Sequence, residues 1–127
     1  MPVHERVIAG VEKEIDRQLA EIAKGSGREA TFARNIGRDN SSVIYLPVFA
    51  TSGKQSRREP DTSYSHNAAR YPGVVMEVAY SQKRKDLSRL ADDYILDSDA
   101  NIQVVIGLDV EYGEKGSRAA TLSLWRA

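Results

Sequence analysis

Two apolar runs, Val74 to Tyr80 and Gln103 onward, are separated by a segment with helical periodicity, and this order narrows the folds open to the chain. Leu87, Leu90, Ala91, Tyr94 and Ile95 make one stripe from about Lys83 to Leu96, the spacing of an amphipathic helix. A helix returned between two strands is the crossover that a parallel strand pair requires. The run from Gln103 is apolar on both faces in its first half, as a central strand should be. Gly113 to Ser117 then reads as a hairpin loop, and Ala119 to Arg126 as an antiparallel partner. A mixed sheet follows.

The first run carries one carboxylate, Glu77. Period two sets Val75, Glu77 and Ala79 on one face, with Met76, Val78 and Tyr80 on the other. A carboxylate in such a strand is costly to desolvate unless a cation or a hydrogen-bond donor meets it. Its small neighbours leave room for a metal ion or a phosphate. A second acid, Asp61, follows Pro60 at the edge of a loop and can reach the same place if its segment pairs with the Glu77 strand. Two carboxylates with waters and a substrate phosphate are the minimum for metal-assisted phosphodiester cleavage.

Before this unit, Val3, Val7, Val11, Ile15, Leu19 and Ile22 predict a helix from about Val3 to Lys24, stopped by Gly25-Ser26-Gly27. Glu12 and Glu14 flank its stripe and Gln18 falls inside it, an unusual choice for a purely structural helix. Residues 25–42 read as a loop with at most a turn of helix. Val43 to Phe49 is a strand by composition, and Pro47 argues for an edge or a strand end. Ala50 to Glu59 is a polar, basic connection. Asp61 to His66 reads as a short strand, and Asp97 to Asn101 as a turn. The whole predicts one α/β (α+β) domain over residues 1–127: a central mixed sheet of about four or five strands, an N-terminal helix, a crossover helix and a C-terminal β-hairpin.

Composition narrows function mainly by exclusion. Eighteen basic and eighteen acidic residues cancel, so any nucleic-acid signal must be local. There is no cysteine and there are only two histidines, His4 and His66, which rules out thiolate sites and argues against histidine-rich zinc. No run is long enough to span a bilayer, and the N-terminus lacks the order of a secretion signal. The expectation is an intracellular protein of cytoplasm or nucleus, with no membrane partner.

Pro60-Asp61, the run Val75-Met-Glu-Val-Ala-Tyr-Ser and Tyr94 in the following helix together resemble the restriction-endonuclease-like PD-(D/E)XK superfamily. The stretch from Val74 onward is also similar to fungal proteins. In that superfamily a helix and strand precede a Pro-Asp acid on the second strand; Glu-x-Lys on the third follows, then a helix and another strand. The resemblance implies a nuclease acting on DNA, with Asp61 and Glu77 holding Mg2+ or Mn2+ and a third acid from the first helix, Glu12 in preference to Glu14. The lysine position is Ala79 here, a departure from the pattern. Some relatives carry the lysine on the neighbouring helix, where Lys83 stands one turn before Leu87 on the inward face; Gln82 offers a polar contact instead.

Lys54, Arg57, Arg58, Arg70, Arg84 and Lys85 make a basic rim suited to phosphates, with His66 as an accessory. Asp109 and Glu111 read as solvent-face acids, and Tyr112 and Trp125 as hairpin packing. Two other readings stand beside the nuclease. One is a non-catalytic member of the fold that binds nucleic acid or protein. The other is a small oligomeric scaffold, a homodimer for instance, joined through the C-terminal edge.

Overall fold

The computed structural model describes residues 3–39, 43–47, 55–67, 69–80, 84–110 and 120–127. Helix α1 (Val3–Ala23) and a short α2 (Arg28–Arg34) lead into strands β1 (Ile36–Asp39), β2 (Ile44–Pro47), β3 (Gln55–Arg58), β4 (Thr62–His66) and β5 (Val74–Tyr80). Helix α3 (Arg84–Asp97) then leads to β6 (Val104–Val110) and β7 (Ala120–Arg126). Five strands form one sheet in the order β1-β4-β5-β6-β7, and β2 pairs with β3 in a separate hairpin. β5 and β6 are parallel, joined through α3, and the other neighbours are antiparallel. The expected mixed sheet with its helical crossover is therefore present.

α3 lies over the face that carries Val75 and Val105. Leu87, Ala91 and Tyr94, three or four residues apart, are its buried side. They close a core with Val75, Val105 and Ile102, and with Ile44 and Leu46 reaching in from the hairpin. β2 alternates buried and exposed residues, so its inward pair anchors a hairpin that would be marginal alone. Gly107 on β6 is required here: a Cβ would lie 2.5 Å from Trp125 Cζ3, so the indole can lie on the sheet only over a bare backbone.

The opposite face buries Thr62, Tyr64, Met76 and Leu108. Arg38 shares that face with Tyr64, its register partner, and bonds Asp16 at 3.0 Å and Glu12 at 3.6 Å, which ties α1 to this side. Leu122 and Leu124 on β7 belong to this face and remain about half exposed. Among the described residues no helix is long and apolar enough to cross a membrane.

Several local expectations change. α2 and β1 lie within the stretch read as loop, and β3 lies within the polar connection. β1, Ile-Gly-Arg-Asp, has one apolar residue and no alternation; it is a strand because β4 offers it an edge. Gln18 is not a buried exception: its amide donates to Glu14 Oε1 at 3.0 Å on an exposed surface. Asp109 is not a solvent-face acid but is 4 % exposed, beside Ala79 in the β5–β6 register. The hairpin loop, Glu111 and Tyr112 fall outside the described residues.

Candidate functional site

Asp61 and Glu77 meet because of how β4 begins. The last pair of the β4–β5 ladder is Thr62 with Met76, and one step further the register sets Asp61 opposite Glu77. Pro60 has no N–H with which to continue the ladder. Beyond the last ladder pair the Asp61 carboxylate serves as acceptor for the β5 backbone: its Oδ2 accepts the Val78 N–H at 2.7 Å. That bond fixes the first acid against the strand of the second, and the two carboxyls are close enough to share a hydrogen bond.

Glu77 is covered from above by α3. The Tyr94 hydroxyl donates to its Oε1 at 2.6 Å, from a ring that is fully buried. This is the donor that a half-buried carboxylate requires. The space foreseen beside Glu77 is thus partly filled by the tyrosine. Burial pushes the Glu77 carboxyl up to about 7; the Tyr94 hydrogen bond opposes that rise, Asp61 adds to it, and Arg58 again opposes it. Burial, with Glu77 next, also pushes the Tyr94 phenol far up, so it remains a donor at any physiological pH.

Arg58 is the cation of this site. Its Nη2 donates to Asp93 Oδ2 of α3 at 3.1 Å, and its Nε is buried with no hydrogen-bond partner among the described residues. Asp97, one turn beyond Asp93, is raised by burial and by Asp93. Three carboxyl groups, those of Glu77, Asp93 and Asp97, therefore lie within the influence of one guanidinium. Sequence reasoning had put Arg58 on a surface rim, because nothing in a polar stretch marks one arginine as facing α3.

The remaining foreseen residues divide as follows. Glu12 is on the other side of the sheet, bonded to Arg38, and is not brought to the Asp61–Glu77 pair. His66 stands five residues along β4 on that same opposite face, about 17 Å from Asp61 by strand rise, stacked on Phe32 at 5.4 Å. Arg57 is exposed and bonds Glu59 at 3.5 Å. Arg70 lies over the Tyr71 ring at 5.2 Å, in a different pocket. Lys54, Gln82 and Lys83 lie outside the described residues, as do the side chains of Arg84 and Lys85. Among the described residues no group of three or more His, Asp or Glu side chains is placed to hold a metal ion by itself. A cation here would rest on the two facing carboxylates and complete its shell with water and substrate oxygens, as Mg2+ commonly does.

Tyr94→Phe tests the geometry with one atom. Without the hydroxyl, Glu77 loses the bond that favours its charged form, so its carboxyl should titrate above 7. Stability should fall by about 1 kcal/mol, the net worth of one such bond. NMR titration of the Glu77 carboxyl carbon in parent and variant reads the shift; a lower value in the variant would contradict the assigned bond.

No protein-family model, curated protein or solved structure matches this chain.

Proposed function

We propose that this chain is a divalent-metal-dependent nuclease of the restriction-endonuclease-like kind, hydrolysing phosphodiester bonds of DNA. The observation that carries the reading is the facing pair Asp61 and Glu77 on adjacent strands, with Arg58 beside them. The donor set is two carboxylates and no sulfur or imidazole, which suits Mg2+ or Mn2+. When bound, such an ion polarises a phosphoryl oxygen and acidifies a water.

The chain's own residues do the rest. Asp61 is held in place by the Val78 N–H, so its orientation does not depend on the ligand. Glu77 faces Asp61 from the adjacent strand, and the Tyr94 hydroxyl holds its carboxyl in that orientation. The Arg58 guanidinium, about one-third exposed, sets a positive charge beside the pair where charge grows on the phosphate. It thereby fills the role that the family resemblance gives to a lysine at position 79, where this chain has alanine. Arg57, adjacent on β3 and exposed, supplies a backbone contact of the salt-sensitive kind.

The test is plasmid and single-stranded DNA cleavage with Mg2+ or Mn2+ over a range of salt. The parent should nick, Asp61→Asn should lose activity, and Arg58→Ala should lose about a hundredfold or more. Lys83→Ala at parent activity would agree with the charge coming from Arg58. A parent that neither cleaves nor binds metal at any salt sinks the nuclease reading. Metal-independent DNA binding without cleavage would assign the chain to the non-catalytic alternative.

A further inference from the structure

On the same sheet face as Asp61, farther along β4, a second polar site has no part in the chemistry above. Ser63 and Ser65 follow Asp61 in period two, and Asp39 is the register partner of Ser63, so all four residues share one face. Ser63 Oγ donates to Asp39 Oδ2 at 3.0 Å, and Ser65 Oγ donates to the same oxygen at 2.5 Å. Both hydroxyl protons are thereby committed. What the partly exposed residues leave to a ligand is acceptors only: the other Asp39 oxygen and the lone pairs of Ser65 Oγ.

This acceptor floor opens into a pocket of about 370 Å³, within the range of small-molecule sites. Tyr45 and Tyr71 line it with aromatic rings, and Tyr45 is 53 % exposed, with its ring accessible for stacking. Arg70 lines it as well, its guanidinium over the Tyr71 ring, with no carboxylate partner among the described residues. Ser63 is 1 % exposed, so the floor is built into the fold and is not a chance surface cluster.

We propose that this pocket receives a nucleobase, guanine in preference to the others, from a strand engaged at the Asp61–Glu77 site. An acceptor-only floor selects an edge rich in N–H groups. Guanine presents two adjacent donors on its Watson–Crick edge, N1–H and the N2 amino group, whereas thymine presents mainly oxygens. Aromatic walls stack a base irrespective of its edge, and the guanidinium meets a phosphate. Among the described residues one acid and one base line the pocket and balance, which disfavours a cationic side chain as occupant and favours a neutral base joined to an anion. Ser63 stands about 7 Å from Asp61 and Ser65 about 14 Å, near enough for one strand to occupy both sites. The strand rests on the nuclease reading; the base preference of the pocket does not.

Calorimetry with dGMP, dIMP, dTMP and N-acetylarginine amide, without metal, tests the pocket by itself. The parent and the Glu77→Gln protein should bind dGMP alike. dIMP, lacking the N2 amino group, should bind about tenfold more weakly, and dTMP more weakly still. Asp39→Asn should lose about tenfold for dGMP, and Tyr45→Ala, at an exposed position that leaves the core intact, a similar factor through lost stacking. Equal binding of the three nucleotides, no binding, or tighter binding of the arginine amide than of dGMP overturns the proposal. DNA cleavage does not enter this test, so its failure leaves the nuclease reading to the plasmid assay.

Discussion

Glu77→Gln should abolish cleavage and, above neutral pH, make the protein more stable. In the unfolded chain the carboxyl titrates at its ordinary 4.5, and in the folded protein it is pushed up to about 7. Between those values the folded state binds more protons than the unfolded state. Stability therefore falls as pH rises through the window from 4.5 to 7, and stays at the lower level beyond it. Glutamine is neutral throughout, keeps an acceptor for the Tyr94 hydroxyl and gains a donor toward Asp61. At pH 8 the variant should be more stable than the parent by about 1–3 kcal/mol, a range that allows for the solvent still reaching the group. At pH 4, where the parent carboxyl is protonated in both states, the two should agree within about 0.5 kcal/mol. Urea unfolding at the two pH values isolates the effect, because titrating groups that do not interact with Glu77, Asp97 among them, cancel in the difference. A variant less stable than the parent at pH 8 would show that Glu77 is not strained by burial. Stability given up to hold an ionised acid in a half-buried place is a common mark of a functional position.

The second large effect is expected at an apolar position. Leu46→Ala removes a fully buried side chain from the hairpin that carries Arg58. The cavity faces Val75, Tyr94 and Ile102, which belong to the rigid sheet–helix core and have little freedom to close it. A loss of about 2–5 kcal/mol follows, a large share of the roughly 5–15 kcal/mol that holds a domain of this size together. Thermal unfolding should shift down by about 10 °C. Because β2 and β3 are attached to α3 mainly through Ile44, Leu46 and the Arg58–Asp93 ion pair, the loosened hairpin should also impair DNA cleavage. The ratio of activity in Leu46→Ala and Arg58→Ala checks this at a temperature where both are folded. A melting change under about 2 °C would mean that the hairpin is not docked as described.

The site was legible in the sequence to the extent that local rules govern it. Glu77 was conspicuous because a charge interrupts an apolar strand, and Asp61 because Pro60 marks where a ladder must end. Tyr94 was visible only as one residue of a helical stripe, since periodicity says which side of a helix is buried and not which atom it meets there. Glu12 was misplaced for a related reason: the flank of a helix does not reveal which side of a sheet the helix covers. Asp109 alternates like a solvent-face acid along β6, but it lies on the sheet face that α3 covers.

Short-range patterns alone determined the elements with strong periods: α1, β4, β5, α3, β6 and β7, and the parallel pair enforced by a helix between two apolar strands. These depend on neighbours within a few residues, where burial and backbone geometry repeat. The tertiary structure decided the rest. β1 and β3 lack any such repeat and exist only because a partner strand offers unpaired backbone groups. Arg58 became the cation of the Asp61–Glu77 pair through the docking of a hairpin, 35 residues from the aspartate it bonds. Asp39 and the two serines, separated by 24 and 26 residues, form one acceptor floor only where β1 lies beside β4. The energy of such contacts depends on distances that the linear sequence does not contain.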